Sequence, residues 1–559
     1  MKTIRIKTSL LFVAIITSLA FPGQLSAQSL NEQVTVVAAY EPSIPEVNKI
    51  NANPAAEETE VKLPKLSYGI TPTPLEPGFT PDVIPSVRLT GEPLERLYRN
   101  YARIGFGNYT TPYAEFWATS LRNKSYGLGL HIKHLSSSGE IKDYAKSNNS
   151  LNLVELQGQK FFENHTLNAN LGFRRNVVHH YGFKPALYEI PMNEDVLKQR
   201  FNRLSAGAEF ASHYKEKDKF NHAAQLNFNS IGDKFDTRES TLNLKLSADK
   251  QFELFSITEY QQAGIEGNLS FTQYHDSVKR QGSSLVSFKP YLATRFNEYT
   301  FKVGVDLSFV GDSASKAHLF PFAEASLEVI DEALTLYAGI NGTIQRRGFD
   351  ALSDENPFVQ SILPLKYTRE KFVFYAGARA RAGRLINLYA SFKAASVENE
   401  PFFVNDFSQY PRRRFTVIYD DAGHLAGRFE AEFNQAEKLN IKAFVAFDSW
   451  NTQREAEAWH KPTTTIGGSI WYNLGDKIIG KASLQVKAKQ TARLLNASDE
   501  PYAVTVNGYT DLSLGLDYRY SRLLTAFLKF NNILGSRYYY WYDYPGYRFN
   551  MMAGISYSF

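Results

Sequence analysis

Hydrophobic and polar residues alternate one by one along most of this 559-residue chain. Between Phe301 and Phe309 the odd positions are Phe, Val, Val, Leu and Phe, and the even positions are Lys, Gly, Asp and Ser. The same period of two recurs at 242–247, 425–434 and 512–519. Because successive side chains of a strand point to opposite faces, this pattern predicts strands with one apolar and one polar side.

The last thirteen residues, Tyr547 to Phe559, repeat this pattern with unusual clarity. Tyr, Phe, Met, Ala and Ile occupy one face, and Arg, Asn, Gly and Ser dominate the other. The pattern favours the closing strand of a transmembrane barrel, apolar toward lipid and polar toward the lumen. Tyr557 and Phe559 at the chain's end resemble the C-terminal signature that outer-membrane barrel assembly machinery reads, which makes them a candidate assembly signal.

The connections between the alternating segments also alternate, between short and long. The short set is Asn123–Ser125, Glu163–His165, Asp331–Ala333, Gly475–Asp476 and Ser521–Arg522. The long set is Ser136–Asn149, Gly182–Gln199, Phe349–Leu365, Asn399–Arg412, Asn451–His460 and Thr491–Asn507. Short periplasmic turns and long outer loops are typical of outer-membrane barrels. We therefore predict an all-β fold, an antiparallel transmembrane barrel of about 22 strands, in which 252–277 and 415–434 each fit one long or two short strands.

A soluble β-sandwich would give similar alternation, but the sustained count and the aromatic content favour the barrel. The chain holds 33 Tyr and 40 Phe, as expected for aromatic girdles at both membrane interfaces. Outside the N-terminus the sequence contains no long uncharged apolar run. Any membrane span must then be a strand, because only helices and closed barrels satisfy their backbone in lipid.

The N-terminal part differs from the rest in composition. Residues 1–27 have a basic start and an apolar stretch, Ser9–Phe21, too short to span a bilayer, which predicts a signal peptide cleaved after Ala27 rather than an uncleaved anchor. Residues 28–96 carry ten of the 23 prolines, which predicts an extended Pro-rich periplasmic arm. The barrel domain is predicted to cover 97–559.

Composition excludes several kinds of chemistry. The chain has no Cys, which excludes disulfides, thiol catalysis and Cys-based metal sites. Removing the three cations of the signal peptide lowers the net charge from +5 to +2, so charge does not argue for a nucleic-acid partner. His179-His180 and Asp420-Asp421 with His424 are weak candidates for a convergent site. We expect no enzymatic activity and no cofactor.

Several C-terminal segments carry a resemblance to a known family. Residues 530–539 (FNNILGSRYY), 544–549 (YPGYRF) and 554–559 (GISYSF) resemble the last two strands of TonB-dependent outer-membrane receptors. This resemblance implies a location in the outer membrane of a Gram-negative bacterium and passage of solutes across it. Those receptors hold a globular plug, whereas 28–96 is too short and too poor in Gly for one. The chain thus looks like a plugless, Bacteroidetes-type relative.

Val34, Thr35, Val36 and Val37 look like a TonB box, the segment that adds a strand to the energy-transducing protein. Strand addition by an extended peptide is a common docking mode. A short strand or an ordinary loop in the arm is the alternative. The expected partners are outer-membrane lipid, the barrel assembly machinery, and TonB or another periplasmic protein that binds the arm.

Two further groups of residues are functional candidates. Alternation directs a set of cations toward the lumen: Arg379, Arg381, Arg428, Lys442, Lys481, Lys487, Lys489, Arg519 and Arg548. They predict a preference for anionic solutes, unless carboxylates of the wall neutralise them. The aromatic run Tyr539, Tyr540, Trp541 and Tyr542 lies in the last outer loop, where it either stacks on a ligand or packs over the barrel mouth.

Two classes of function fit this sequence. The first is passage of solutes through the barrel, by active or passive transport. The second is a structural or assembly barrel that serves as a platform for an envelope or secretion complex. Transport requires a lumen that is open or can be opened, whereas a platform predicts a permanently filled lumen and stable protein partners.

Overall fold

The barrel dominates the computed structural model, which describes residues 97–121, 123–187, 194–216, 218–253, 260–312, 315–406, 408 and 414–559. Twenty-two strands form one antiparallel sheet that closes because β1 pairs with both β2 and β26. The predicted fold class and strand number are confirmed. The signal peptide, the arm and the TonB-box-like segment lie outside the described residues.

The first half of the wall consists of β1 (Asn100–Gly107), β2 (Thr111–Thr119), β3 (Tyr126–Ser137), β4 (Asn149–Phe161), β5 (His165–His179), β6 (Lys198–Ser212), β7 (Asn221–Gly232), β8 (Arg238–Phe252), β9 (Tyr260–His275), β10 (Arg280–Phe296) and β11 (Tyr299–Gly311). The second half consists of β12 (Ser315–Ile330), β13 (Leu334–Arg346), β14 (Tyr367–Ala382), β15 (Ile386–Asn405), β16 (Phe415–Gln435), β17 (Leu439–Thr452), β18 (Thr464–Leu474), β19 (Ile478–Lys487), β22 (Tyr509–Arg519), β23 (Leu524–Asn531) and β26 (Asn550–Ser558).

The long loops add small elements of their own. They are the hairpin of β20 (Gln490–Leu495) and β21 (Pro501–Val506), the short pair of β24 (Tyr539–Trp541) and β25 (Tyr544–Pro545), a 3₁₀ turn (Pro185–Leu187), and the helices α1 (Glu194–Leu197) and α2 (Phe349–Glu355). All of them lie at one end of the barrel, and the short turns lie at the other. If β26 ends on the periplasmic side, as expected from the sequence, the long loops face outward.

The height of the wall varies around the barrel. The ambiguous segment 415–434 is a single strand, β16, of 21 residues, and its neighbour β15 has 20, whereas β23 has only 8. The segment 252–277 supplies the end of β8 and all of β9. At about 3.3 Å per residue, β15 and β16 extend far beyond a hydrocarbon core that about ten tilted residues can cross. One side of the barrel therefore rises above the membrane.

The outer surface of the wall is apolar. Large hydrophobic side chains alternate outward and are exposed, among them Leu128, Phe288, Phe301, Phe429 and Leu514. Such a belt on a closed barrel is a lipid-facing surface, which places the protein in a Gram-negative outer membrane. In the part of the chain that the structure describes, no helix is long and apolar enough to span a bilayer.

The seam that closes the barrel joins β1 to β26 in register from Tyr101 opposite Ser558 to Gly107 opposite Met552. Gly105 and Gly554 face each other across the seam, and a Cβ on either would meet the ring of Phe527 from β23. Glycine is required at both positions because the ring of Phe527 and the backbone of the facing strand leave no space for a Cβ. Hydrogen bonds between the backbones of residues 100 and 559, 2.8 and 2.9 Å long, complete the periplasmic end of the seam.

Candidate functional site: the outer mouth and the lumen

The largest buried core of the described residues lies across the outer mouth. Thirteen side chains from the wall and from two outer loops form it: Val178, Phe201, Ile231, Tyr274, Phe349, Leu352, Val359, Leu363, Leu365, Phe403, Phe415, Val417 and Tyr544. The β13–β14 loop contributes α2 and brings Phe349 and Leu352, both fully buried, to the opposing strands. The ring centroid of Phe349 lies 6.1 Å from that of Phe201 on β6.

Buried polar contacts fix α2 to the wall. Glu239 of β8 accepts hydrogen bonds from the backbone N–H of Phe349 at 3.1 Å and of Asp350 at 3.2 Å, which satisfies free donors of the first helical turn. Arg203 of β6 donates from Nε to the carboxylate of Asp350 at 2.6 Å and from Nη2 to the hydroxyl of Ser353 at 2.9 Å. Removing either wall residue would leave buried polar groups without partners, which is costly.

A second attachment holds the same loop at Ser361. Its hydroxyl donates to the carboxylate of Asp233, and its carbonyl accepts from the hydroxyls of Thr237 at 3.1 Å and Tyr274 at 3.3 Å. Val359 also forms a parallel bridge with Phe415 of β16. The loop is thus bound at both ends and spans between separate parts of the wall.

The last outer loop, between β23 and β26, packs on top of this loop. Tyr544 stacks on Phe358 with ring centroids 3.8 Å apart, and Trp541 lies 5.6 Å from Phe415. The hydroxyl of Tyr181, in the β5–β6 loop, donates to the carbonyl of Pro545 at 2.8 Å. Three outer loops therefore share one core.

His460, in the β17–β18 loop, links three segments and is only 6% exposed. Its Nδ1 donates to the carbonyl of Phe403 at 2.9 Å, and its Nε2 accepts from the backbone N–H of Tyr542 at 3.4 Å. Burial lowers the pKa of His460 to about 4, because the imidazolium would lose its hydration. At neutral pH His460 is therefore uncharged, as its accepting Nε2 requires.

The predicted outer-loop aromatics fall into different environments. Trp541 packs against the mouth core, Tyr540 is 46% exposed, and Tyr539 and Tyr542 are half-buried. Packing over the mouth accounts for Trp541. Ligand stacking by Tyr540 stays a prediction.

The predicted lumen cations also divide into two groups. Four have a carboxylate within 4 Å: Arg428 with Glu430, Lys442 with Glu432, Lys481 with Asp517, and Arg519 with Asp476. Arg379 instead lies over the ring of Tyr337. Pairing of this kind removes much of the positive field that the sequence predicted for the lumen as a whole.

A repeated arrangement lines the periplasmic half of the lumen: a glycine, an aromatic ring lying flat over it, and a cation on the ring. The members are Gly264–Tyr291–Lys302, Gly304–Phe322–Lys289, Gly377–Tyr337–Arg379, Gly467–Phe444–Arg428 and Gly554–Phe527–Arg103. The cations lie 3.8 to 5.3 Å from the ring centroids. The rings cover the backbone of the glycines, and the cation–π contacts hold the long Lys and Arg side chains close to the wall.

The remaining predicted cations, Arg381, Lys487, Lys489 and Arg548, have no carboxylate within 4 Å among the described residues. Two of these positions differ from the sequence interpretation. Lys489 follows β19, and Arg548 precedes β26 and donates to the carbonyl of Gly535 at 2.8 Å. Both belong to outer loops, because the strands near the seam are shorter than their alternation suggested.

Of the weak catalytic candidates, Asp420 and His424 make contacts with neighbouring residues of the wall and loops. Asp420 is fully buried and accepts from the backbone N–H and side chain of Arg454. His424 lies 3.0 Å from Asp448 and stacks on Trp450. The described residues contain no group of three or more His, Asp or Glu that could hold a metal ion.

At the chain's other candidate site, Tyr557 and Phe559 are exposed on the lipid side, with ring centroids 5.6 Å apart. Their recognition by assembly machinery stays a prediction.

Sequence reasoning missed the mouth core, because it read 349–365 only as one of the long outer loops. Five apolar residues of that segment belong to the buried core: Phe349, Leu352, Val359, Leu363 and Leu365. So many apolar residues in an outer loop could have indicated that the loop folds inward.

Comparison with solved structures finds barrels of similar fold, which are described as receptors or transporters for iron compounds. The ferripyoverdine receptor of Pseudomonas aeruginosa aligns with 84% of this chain and 72% of its own at a TM-score of 0.62 and 11% identity. The ferric-catecholate import receptor Fiu of Escherichia coli K12 aligns at 0.61 and 11% identity, covering 83% of this chain and 82% of its own. The FrpB iron transporter of Neisseria meningitidis aligns at 0.62 and 10% identity, with 83% of both chains covered.

At such identities the likeness establishes a shared fold. No protein family and no curated protein matches the sequence.

Proposed function

We propose that this protein passes solutes across the outer membrane and that its outer loops form the gate. The packed core across the mouth is the observation that carries this proposal. A barrel of 22 strands encloses a lumen that would leak if nothing filled it. The loops supply such a filling at the outer end. The similar structures, described as receptors and transporters of iron compounds, support passage as the role.

Conductance in a planar bilayer tests the gate. We would compare the full chain, a form without 28–96, and a form in which 350–361 is replaced by a short Gly-Ser linker. Replacement of 496–500 in the β20–β21 hairpin is the matched control, because these outer-loop residues lie outside the mouth core. We expect only the 350–361 replacement to raise conductance strongly.

Other results would change the assignment. A large steady conductance of the full chain would mean a passive pore without a gate. Silence of all four forms, together with a protein that co-purifies in fixed ratio, would favour the platform function instead. If only the form without 28–96 conducted, the arm would be the element that occludes the lumen.

We further propose that Val34–Val37 bind a periplasmic energy-transducing partner of the TonB type by strand addition. Val36→Pro removes a backbone donor that such pairing uses, and Val36→Thr keeps it. Capture of a soluble TonB C-terminal domain by the full chain should be lost with proline and kept with threonine. Equal capture by both would contradict strand addition at this segment.

A further inference from the structure

A cavity of about 950 Å³ lies between the outer loops and the wall on the side of the seam. The wall contributes residues from β2, β3, β4, β5, β19, β23 and β26, and the last outer loop contributes Tyr538, Tyr540 and Trp541. Its volume is at the upper end of the range for small-molecule sites, roughly 300–1,000 Å³. It could therefore hold a solute of considerable size.

The charge around this cavity is unbalanced. Lys133, Lys487, Lys529 and Arg548 line it, and none of them has a carboxylate within 4 Å in the described part of the chain. Among the described lining residues, the one carboxylate is that of Glu355, which lies 3.7 Å from Lys461, a fifth lining cation, and 3.8 Å from Arg347. This acidic group is thus already engaged, whereas the other four cations lack a carboxylate within 4 Å in the same described residues.

Cations in other parts of the lumen wall differ from these four, because several of them are paired with carboxylates. In the periplasmic half, cations such as Lys442 and Lys481 are 2.9 and 2.7 Å from carboxylates. Like charges that share a low-dielectric space repel each other unless an anion neutralises them. Several cations elsewhere in the lumen are paired with carboxylates or packed on rings, whereas four cations without a described carboxylate within 4 Å line this one cavity. Arg381 also lacks a described carboxylate within 4 Å, but it lies outside the cavity. The grouping of the four cations gives the cavity the chemistry of an anion site. The lining amides, those of Asn148, Asn531 and Asn550 among them, add neutral hydrogen-bond donors.

We propose that this cavity binds small polyanions, solutes with several carboxylate or phosphate groups. Lys487 and Lys529, from β19 and β23, and Lys133 from β3 contact the anionic groups. Trp541 and Tyr540 cover the less polar part of the solute. This inference rests on the proposed passage of solutes, since it names the class of solute that the mouth retains.

Calorimetric titration of the purified full chain with inositol hexakisphosphate and with citrate tests the site, with myo-inositol as the neutral probe. Both polyanions should bind, and their affinity should fall as salt rises. Lys487→Gln and Lys529→Gln should each weaken binding about tenfold, the loss expected for one charge-assisted contact. Arg381→Gln is the matched control, because Arg381 is a lumen cation outside the cavity and also lacks a carboxylate within 4 Å.

Two results would overturn the site: no binding of either polyanion, or equal weakening by Arg381→Gln and by the lysine variants. A change in Trp fluorescence on adding polyanion gives a second readout, and charge reversal in Lys529→Glu should abolish it. Circular dichroism would verify that each variant folds.

The outcomes separate the two proposals. If the polyanions bind but the 350–361 replacement does not conduct, the site is retained and passage of solutes is contradicted. If the replacement conducts but the polyanions do not bind, passage is retained and the site is contradicted.

Discussion

The outer mouth and the periplasmic half of the lumen are lined by the same strands but are organised in opposite ways. At the mouth, apolar side chains from three loops interlock, and α2 brings Phe349 against Phe201 on the far strands. In the periplasmic half, rings such as Phe444 lie flat on glycines and carry cations such as Arg428 at 4.0 Å. In that half the wall presents mainly polar side chains and rings that pack on glycines, whereas its apolar residues at the mouth, such as Phe201, pack against the loops. The comparison teaches that closure requires the loops.

The largest expected effect concerns the mouth. Phe349→Ala removes a fully buried ring and should cost about 3–5 kcal/mol of the free energy that holds the β13–β14 loop in place. Amide hydrogen exchange of 349–363 should accelerate strongly, while exchange of the wall strands stays slow.

Ile362→Ala is the matched control, because Ile362 belongs to the same loop and is 42% exposed. It should leave the exchange nearly unchanged. If Phe349→Ala also left the exchange unchanged, the mouth core would not be the interaction that holds the loop in place.

The second largest expected effect is a loss of stability of the mouth at low pH, which the wall strands should not share. The pKa of His460 is about 4 in the folded mouth, against about 6.5 in an unfolded chain. A depressed pKa of a base means that protonation opposes the folded form. The stabilisation is therefore complete above pH 6.5 and is lost as the pH falls toward 4, by about 3 kcal/mol in all.

Exchange of 453–463 and of 538–547 measured at pH 7.5 and pH 5 checks this prediction. The protection of the loop amides should be lower at pH 5 than at pH 7.5, whereas the protection of the wall strands should not fall with it. His460→Asn retains a donor for the carbonyl of Phe403 but gains no charge, so it should remove most of the pH dependence. A pH dependence that survives in this variant would place its origin elsewhere.

The smallest effect concerns the periplasmic half. Arg428→Ala removes a cation from the ring of Phe444 and from Glu430, in a solvated part of the lumen. We expect a loss of only about 0.5–1 kcal/mol in the free energy of unfolding, measured by urea titration, and unchanged exchange at the mouth. Arg428→Lys should recover part of the loss. A large destabilisation would mean that the flat stacks carry more of the wall's stability than their exposure suggests.

The sequence predicted the wall and missed the closure, and each outcome has a physical reason. A wall strand repeats the apolar–polar alternation along most of its length, so the sequence of a segment such as 301–309 indicates both the strand and its lipid-facing side. The mouth core depends on contacts such as Arg203 with Asp350, which are separated by 147 residues and leave no periodic trace. The unpaired cations at the cavity became apparent only when each lumen cation could be placed beside its neighbours.

The seam sets the order in which this protein can assemble. Strands β1 and β26 are separated by most of the chain, and closing a flexible loop of about 450 residues costs roughly 5 kcal/mol in entropy. Their pairing is therefore expected to be the last and slowest step, after the hairpins have formed. By then Phe527 already lies over Gly554 on the neighbouring strand. The incoming strand fits beneath the ring only where it presents Gly105, since a slip of one residue would bring Ile104 or Phe106 there instead. The ring thus marks the correct register before the barrel has closed.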